Sequence, residues 1–150
     1  MSQSLSKIIL HIIFSTKNRY PFLNEKIRHE MHHYLALMCK NFGCFPHKIN
    51  GTSDHVHIVC ELSRTITACK LIEEIKTSSS KWIKTKGSIY QKFHWQKGYG
   101  VFSIGMSQLQ TVIQYIEKQE ELHGKKMYQE EFIGFLKKYQ IEYDERYVWD

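Results

Sequence analysis

Two histidines placed two residues apart, His55 and His57, are the first candidates for chemistry in this sequence. They lie in residues 55–60 (HVHIVC), where apolar residues alternate with them as in a β-strand. Successive side chains of a strand point to opposite faces, so both imidazoles leave the same face. Neutral imidazole nitrogens are common metal ligands, and this pair could hold an ion on a rigid element. In a chain with nine histidines, a chance pairing is the alternative interpretation.

A tyrosine and a glutamine four residues apart, Tyr115 and Gln119, are the second candidates. The apolar residues around them recur at helical spacing, which predicts a helix over about residues 108–122. In that helix Tyr115 and Gln119 stack on one side, at the margin of the buried stripe. A phenol can attack phosphorus and hold it as an ester, and an amide oxygen can join two imidazoles around an ion. An amphipathic tyrosine at the edge of a core is the alternative.

The elements that must carry these residues follow the order strand, helix, strand, strand, helix, strand. Strands are predicted over residues 7–15, 44–50, 55–62 and 99–104, with a further extended segment at 89–94. Asn24 is the expected N-cap of the first helix, and Gly43 is its expected stop. The order predicts an α+β fold: a ferredoxin-like antiparallel sheet with two helices on one face, plus additional C-terminal helices, one of which carries Tyr115.

Length and composition predict a single domain over residues 1–150. The 42% of hydrophobic and 24% of charged residues are ordinary for a globular protein. No apolar run reaches the roughly 20 residues that cross a bilayer, and the N-terminus has no signal-peptide pattern. We therefore expect no membrane partner and a cytoplasmic location. The four cysteines form no Cys-x-x-Cys pair, which favours buried reduced thiols over a zinc cluster.

The net charge of +6 is concentrated in one part of the chain. Residues 75–116 contain six lysines and no acidic residue, and outside this window 15 basic residues balance 15 acidic ones. Lys76, Lys81 and Lys84 lie in the second predicted helix beside three serines, a combination that suits phosphate oxygens. This localised charge predicts binding to a polyanion, and a solvated lysine face is the alternative.

Five separated segments contain motifs that occur together, in this order, in one family. They are residues 11–19 (HIIFSTKNR), 51–57 (GTSDHVH), 75–82 (IKTSSSKW), 95–100 (WQKGYG) and 115–121 (YIEKQEE). With them the chain resembles, over nearly its whole length, the single-tyrosine HUH transposases of small bacterial insertion sequences and their relatives associated with repeated extragenic palindromes (REP). One departure lies in residues 119–123, which read QEELH where relatives often have QEEHH.

The resemblance implies roles for individual residues. His55 and His57 would bind a divalent ion, Mg²⁺ or Mn²⁺, with Gln119 as the third ligand. Tyr115 would be the nucleophile. Tyr99 is the competing nucleophile, but it lies in a strand-like segment and has no partner at helical spacing.

The implied activity is that of a metal-dependent transposase, which nicks and rejoins single-stranded DNA at hairpin-bearing element ends through a 5′-phosphotyrosine intermediate and uses no nucleotide cofactor. Lys17 and Arg19, together with the three helix lysines, would hold the DNA backbone. The implied assembly is a homodimer, in which one subunit can supply the histidines and the other the tyrosine. The rival interpretation is a ferredoxin-like single-stranded nucleic-acid-binding module without catalysis, which leaves the four candidate site residues without a common role.

Overall fold

A computed structural model describes residues 2–119 and 127–150 of the chain. Its elements are the strands β1 (Ile9–Ser15), β2 (Phe45–Gly51), β3 (His55–Glu61) and β4 (Gly100–Ile104) and the helices α1 (Glu25–Asn41), α2 (Ala68–Lys84), α3 (Leu109–Glu117) and α4 (Tyr128–Lys138). The strands form one antiparallel sheet in the order β2-β3-β1-β4. This arrangement confirms the predicted ferredoxin-like α+β fold.

The first face of the sheet packs against α1 and α2. Ile12 of β1 and Ile58 of β3 lie in the main core with Leu35 of α1 and Ile75 of α2. All four side chains are fully buried, and each contributes about 1.5–3 kcal/mol of hydrophobic stabilisation. Because side chains alternate along a strand, the neighbours of these core residues point to the opposite face.

The ends of α1 are formed as the sequence predicts. The side chain of Asn24 accepts a hydrogen bond of 3.1 Å from the backbone N–H of Ile27, which caps the first turn. Gly43 has a φ of +74°, the left-handed conformation that ends helices and favours glycine.

The second face of the sheet is covered by α3 and α4. Ile116 of α3 packs with Ile9, Val59 and Ile104 in one small apolar cluster. Residues of α4 form another cluster with Ile13 and Phe102, and its buried members include Phe132 and Leu136. The sheet is therefore enclosed on both sides, and the polar side chains on its second face lie between α3 and α4.

The segment of residues 89–94, expected to be extended, is not a strand. Ser88–Tyr90 forms a 3₁₀ turn instead. Tyr90 and Phe93 are both buried in the main core, and the hydroxyl of Tyr90 accepts a hydrogen bond of 2.9 Å from Asn24. Two buried side chains three residues apart fit a turn rather than a strand with a period of two.

The helix predicted over residues 108–122 is observed as α3, which ends at Glu117. The structure describes the chain as far as Gln119, so residues 120–122 of the predicted helix lie outside the described residues. Residues 120–123, which complete the QEELH segment and include its difference from the family pattern, also lie outside the described residues. Among the helices of residues 2–119 and 127–150, none combines the length and apolar character needed to cross a membrane.

Candidate active site

The turn between β2 and β3 fixes the ring of His55. Its Nδ1 lies 2.8 Å from Oδ1 of Asp54 and 3.0 Å from Oγ1 of Thr52. Gly51 permits this turn, because a Cβ there would lie 2.2 Å from the backbone oxygen of His55. When Nδ1 donates to the Asp54 carboxylate, the lone pair of Nε2 points into the site, as in many metal-binding histidines.

The second histidine, His57, is held from the neighbouring strand by His11. Nε2 of His11 lies 2.8 Å from Nδ1 of His57, and the two rings stack with centroids 5.0 Å apart. Burial, followed by the nearby His57, lowers the pKa of His11 well below its ordinary value. A neutral His11 can accept a hydrogen bond from Nδ1 of His57, which leaves Nε2 of His57 to face the site. No role of His11 in the site is predicted from its sequence position.

The end of α3 brings Gln119 and Tyr115 to this histidine pair. Gln119 is fully buried, and its Oε1 lies 3.1 Å from Nε2 of His55. The ring of Tyr115 meets the ring of His57 edge-on, with centroids 6.1 Å apart. Asn50 of β2 holds the end of the helix in place by donating a 2.9 Å hydrogen bond to the backbone oxygen of Ile116. The residues predicted from two separate patterns therefore meet at one place.

Tyr115 opens onto a cleft with a volume of about 310 Å³. The cleft lies between α3 and α4, and its lining includes His11, Thr111, Glu131 and Lys138. Burial raises the pKa of Tyr115, and the charge of Glu131 and a hydrogen bond to that carboxylate raise it further, whereas a hydrogen bond from Gln119 acts in the opposite direction. The phenol is thus held protonated at the edge of an accessible site.

Two other tyrosines are placed differently. The ring of Tyr128 lies 4.8 Å from that of His55, but this tyrosine is buried and donates its hydroxyl proton to Oε1 of Gln96 at 3.0 Å. Tyr99, the competing candidate, lines a groove with Lys76 of α2. Of the three, Tyr115 combines proximity to the histidines with an open cleft.

Glu131 of α4 is a site residue that the sequence analysis missed. It is 2% exposed, and its Oε1 lies 2.5 Å from Nε2 of His57 and 4.0 Å from Nε2 of His55. One ligand atom from each of these three residues lies within 4.8 Å of the others. The signal that could have found it is its position: with Tyr128 and Phe132 it belongs to the buried stripe of an amphipathic helix, where an acid is unexpected.

The donor atoms at this point suit a small divalent cation. Two imidazole nitrogens, one amide oxygen and one carboxylate oxygen converge, and the far side of each imidazole is already hydrogen-bonded. Oxygen and imidazole ligands of this kind fit Mg²⁺ or Mn²⁺ and leave positions open for a substrate.

The predicted DNA-binding residues of the first loop lie at one end of the sheet. Lys17 is exposed and lines a groove of about 330 Å³ with Lys97 and Trp149. The guanidinium of Arg19 lies over the ring of Trp149 at 5.9 Å. A basic groove with an aromatic wall is an arrangement found in single-strand-binding proteins.

The predicted DNA-binding lysines of α2 lie on the face of the sheet opposite to the Tyr115 cleft. The ammonium of Lys76 donates to the backbone oxygen of Gly98 at 2.8 Å and lies 5.1 Å from the ring of Phe14. Burial lowers the pKa of Lys76 to about 8. Lys81 is exposed, and Lys84 donates to Oγ of Ser80 at 3.2 Å.

Comparison with known proteins agrees with this geometry. A family model described as "Transposase IS200 like" matches residues 4–119. No protein of curated function matches the chain. The structure is similar to the crystal structure of a candidate transposase from Deinococcus radiodurans R1, with a TM-score of 0.62, 19% identity, and coverage of 79% of this chain and 98% of that one. It is equally similar, with a TM-score of 0.62 and 15% identity, to a REP-associated tyrosine transposase bound to a REP hairpin, over 83% of this chain and 75% of that one.

At 19% and 15% identity, the two structures show only that the fold is shared. The family model, in contrast, matches most of the chain and shows the family. The matched residues include the histidine pair His55 and His57, the glutamine Gln119 and the tyrosine Tyr115 that meet in the structure. The chain therefore belongs to the IS200-like transposase family and is a DNA transposase of the single-tyrosine HUH type.

Proposed function

We propose that this transposase cleaves and rejoins single-stranded DNA at hairpin-bearing ends through a covalent 5′-phosphotyrosine at Tyr115. A divalent ion would be held by His55, His57 and Gln119. The observation that carries the proposal is the position of Tyr115, which lines an open cleft while its ring contacts that of His57.

The chemistry needs one nucleophile and no external energy source. Oη of Tyr115 attacks the phosphorus, the bond from phosphorus to the 3′-oxygen breaks, and the 3′-oxygen takes up a proton to become a hydroxyl. The carboxylate of Glu131 lines the same cleft as Tyr115 and can accept the phenol proton. When a 3′-hydroxyl later attacks the phosphotyrosine, the tyrosine leaves and a phosphodiester forms again. Since one ester replaces another in each step, no nucleotide cofactor is required.

The metal ligands are oriented before any substrate arrives. A bound divalent ion would polarise the phosphate and neutralise the charge that develops on it in the transition state. Asp54 and Thr52 fix the ring of His55, and His11 fixes that of His57. Because these rings are already in position, they need little rearrangement when the reaction takes place.

The DNA would reach this site along basic and aromatic surfaces. Lys138 lines the cleft beside Tyr115 and can contact a phosphate next to the cleaved bond. Lys17, Arg19 and Trp149 can bind unpaired nucleotides by charge and stacking. A hairpin as the duplex part of the substrate is supported by the hairpin-bound state of the similar REP-associated transposase.

The four predicted site residues can meet within a single subunit. Gln119 reaches His55 across 64 residues of the same polypeptide, and Tyr115 lies on the same helix segment. We therefore propose that each active site is completed within one subunit. The homodimer implied by the family resemblance stays a prediction, and so does its composite form, in which one subunit supplies the histidines and the other supplies Tyr115.

The test is formation of a covalent protein–DNA adduct. A labelled oligonucleotide that contains the hairpin found next to the gene, with its single-stranded flanks, is incubated with protein and Mg²⁺ or Mn²⁺. The wild type and Tyr99→Phe should form an adduct that survives denaturation, and Tyr115→Phe should form none while still binding the DNA. An adduct with Tyr115→Phe would refute the proposal, and adduct formation undiminished in excess chelator would refute its metal-dependent part.

A further inference from the structure

The helix α4 lies outside residues 4–119, the part of the chain that the family model matches, yet it reaches the centre of the site. Its residue Glu131 approaches both metal-binding histidines, at 2.5 Å from Nε2 of His57 and 4.0 Å from Nε2 of His55. Both distances are to the same oxygen, Oε1. A carboxylate oxygen therefore faces the two nitrogens that carry the predicted metal site.

Burial of this carboxylate is costly without a cation. Glu131 is 2% exposed, and the rest of the inward face of α4 is formed by apolar and aromatic side chains such as Tyr128, Phe132 and Leu136. A buried carboxylate needs a cation or hydrogen-bond donors to offset the loss of its hydration, and the imidazole of His57 is one partner of Glu131. An apolar residue at this position would serve the packing of the helix equally well. The acid thus has a use other than packing.

We propose that Glu131 is a carboxylate ligand of the divalent ion, so that binding of the ion fastens α4 to the catalytic sheet. This inference rests on the proposed metal dependence and adds one anionic ligand to His55, His57 and Gln119. An anionic oxygen suits Mg²⁺ and Mn²⁺ better than a further neutral donor. Oε1 of Glu131 faces the nitrogens of both histidines, and the same residue lines the cleft beside Tyr115.

The ligands then come from three separate elements. β3 supplies the two histidines, the segment that follows α3 supplies Gln119, and α4 supplies Glu131. Much of the contact of α4 with the sheet is apolar, through residues such as Phe132 against Ile13. The rings of Tyr128 and Phe135 also lie against those of His55 and His11. The ion would add a further link between α4, which forms one wall of the Tyr115 cleft, and the sheet.

The first experiment measures binding of Mn²⁺ alone to the full-length protein without DNA, by the loss of the free Mn²⁺ signal in electron paramagnetic resonance. Glu131→Gln keeps the size of the side chain and removes its charge. We expect Glu131→Gln to weaken Mn²⁺ binding by about tenfold or more. Glu130→Gln removes an acid from the adjacent, exposed position and should bind Mn²⁺ as the wild type does.

The outcomes separate this inference from the proposed function. If the wild type binds Mn²⁺, His55→Ala abolishes binding and Glu131→Gln binds like the wild type, Glu131 is not a ligand and the metal-dependent function stands. If the wild type binds no Mn²⁺, or His55→Ala binds it equally well, both proposals fail.

The second experiment tests the fastening of α4 and does not depend on activity. Hydrogen exchange of the amides in Tyr128–Lys138 is followed by mass spectrometry with and without Mn²⁺. Exchange should slow on addition of Mn²⁺ in the wild type and in Glu130→Gln, but not in Glu131→Gln, because only the ligand couples the helix to the ion. Equal slowing in all three proteins would overturn the proposal.

Discussion

Replacement of Gly51 by alanine tests whether the hairpin turn positions His55, the first of the proposed metal ligands. A Cβ at residue 51 would lie 2.2 Å from the backbone oxygen of His55 and 2.9 Å from Cα of Val56. Non-bonded heavy atoms have their optimum at about 3.5–4.0 Å, so the facing backbones must separate by about 1 Å. Both obstructing atoms belong to the main chain, and no change of rotamer can move them away.

The expected loss in the free energy of unfolding is at the upper end of the range for overpacked sites. Such substitutions destabilise by about 1–3 kcal/mol, and we expect about 3 kcal/mol for Gly51→Ala, or about 6–12 °C in Tm for a domain of this size. Separation of the strands also moves Thr52 and Asp54 away from Nδ1 of His55. Loss of such support reduces metal affinity by about 10- to 100-fold in other sites, and we expect a loss in this range for Mn²⁺.

The assay compares urea unfolding and Mn²⁺ binding of the wild type, Gly51→Ala and a matched glycine control. Gly105→Ala is the control, because no heavy atom lies within 4 Å of its added Cβ and its φ is −76°. It should be unchanged or more stable by about 0.4–1 kcal/mol. Equal unfolding midpoints for the two alanine variants would refute the argument that this turn tolerates glycine alone.

Three further predictions concern assembly, acid stability and the lysines of α2. If each chain completes its own site, as proposed, a mixture of His55→Ala and Tyr115→Phe should not regain adduct formation after subunit exchange. Burial lowers the pKa of His32 to about 4 from 6.5, so the folded protein binds fewer protons than the unfolded chain between these pH values. The free energy of unfolding should fall by up to about 3 kcal/mol as the pH drops through that window, and His32→Gln should reduce this fall. Lys76→Ala should lower the free energy of unfolding by about 1–3 kcal/mol, because its ammonium holds the backbone at residues 97 and 98.

Each of these predictions has its own control. Recovery of adduct in the mixed protein would establish composite sites in place of complete ones. His33→Gln, at an exposed position of the same helix, should leave the acid dependence of unfolding unchanged. Lys81→Ala should keep full stability. It should reduce the slope of log K for DNA binding against log salt concentration by about one unit, and an unchanged slope would place the DNA away from α2.

The sequence by itself determined the parts of the site that depend on local periodicity. The spacing of His55 and His57 placed both rings on one face of a strand, and the spacing of Tyr115 and Gln119 placed both side chains on one side of a helix. The order of strands and helices gave the ferredoxin-like arrangement, and the structure confirms it. These predictions succeed because the directions of neighbouring side chains follow from the backbone geometry of a few residues.

Only the tertiary structure decided which distant residues join that site and which do not. His11 supports His57 because the register of β1 and β3 sets them diagonally opposite, and Glu131 enters because α4 packs across the second face of the sheet. The ammonium of Lys76, which is predicted to bind DNA, also donates to the backbone of a neighbouring loop, a contact that its charge alone does not reveal. The role of a charged side chain or an imidazole depends on the atoms that folding brings within a few ångströms of it. Those atoms belong to residues that are far away along the chain, so the sequence around the side chain does not determine its role.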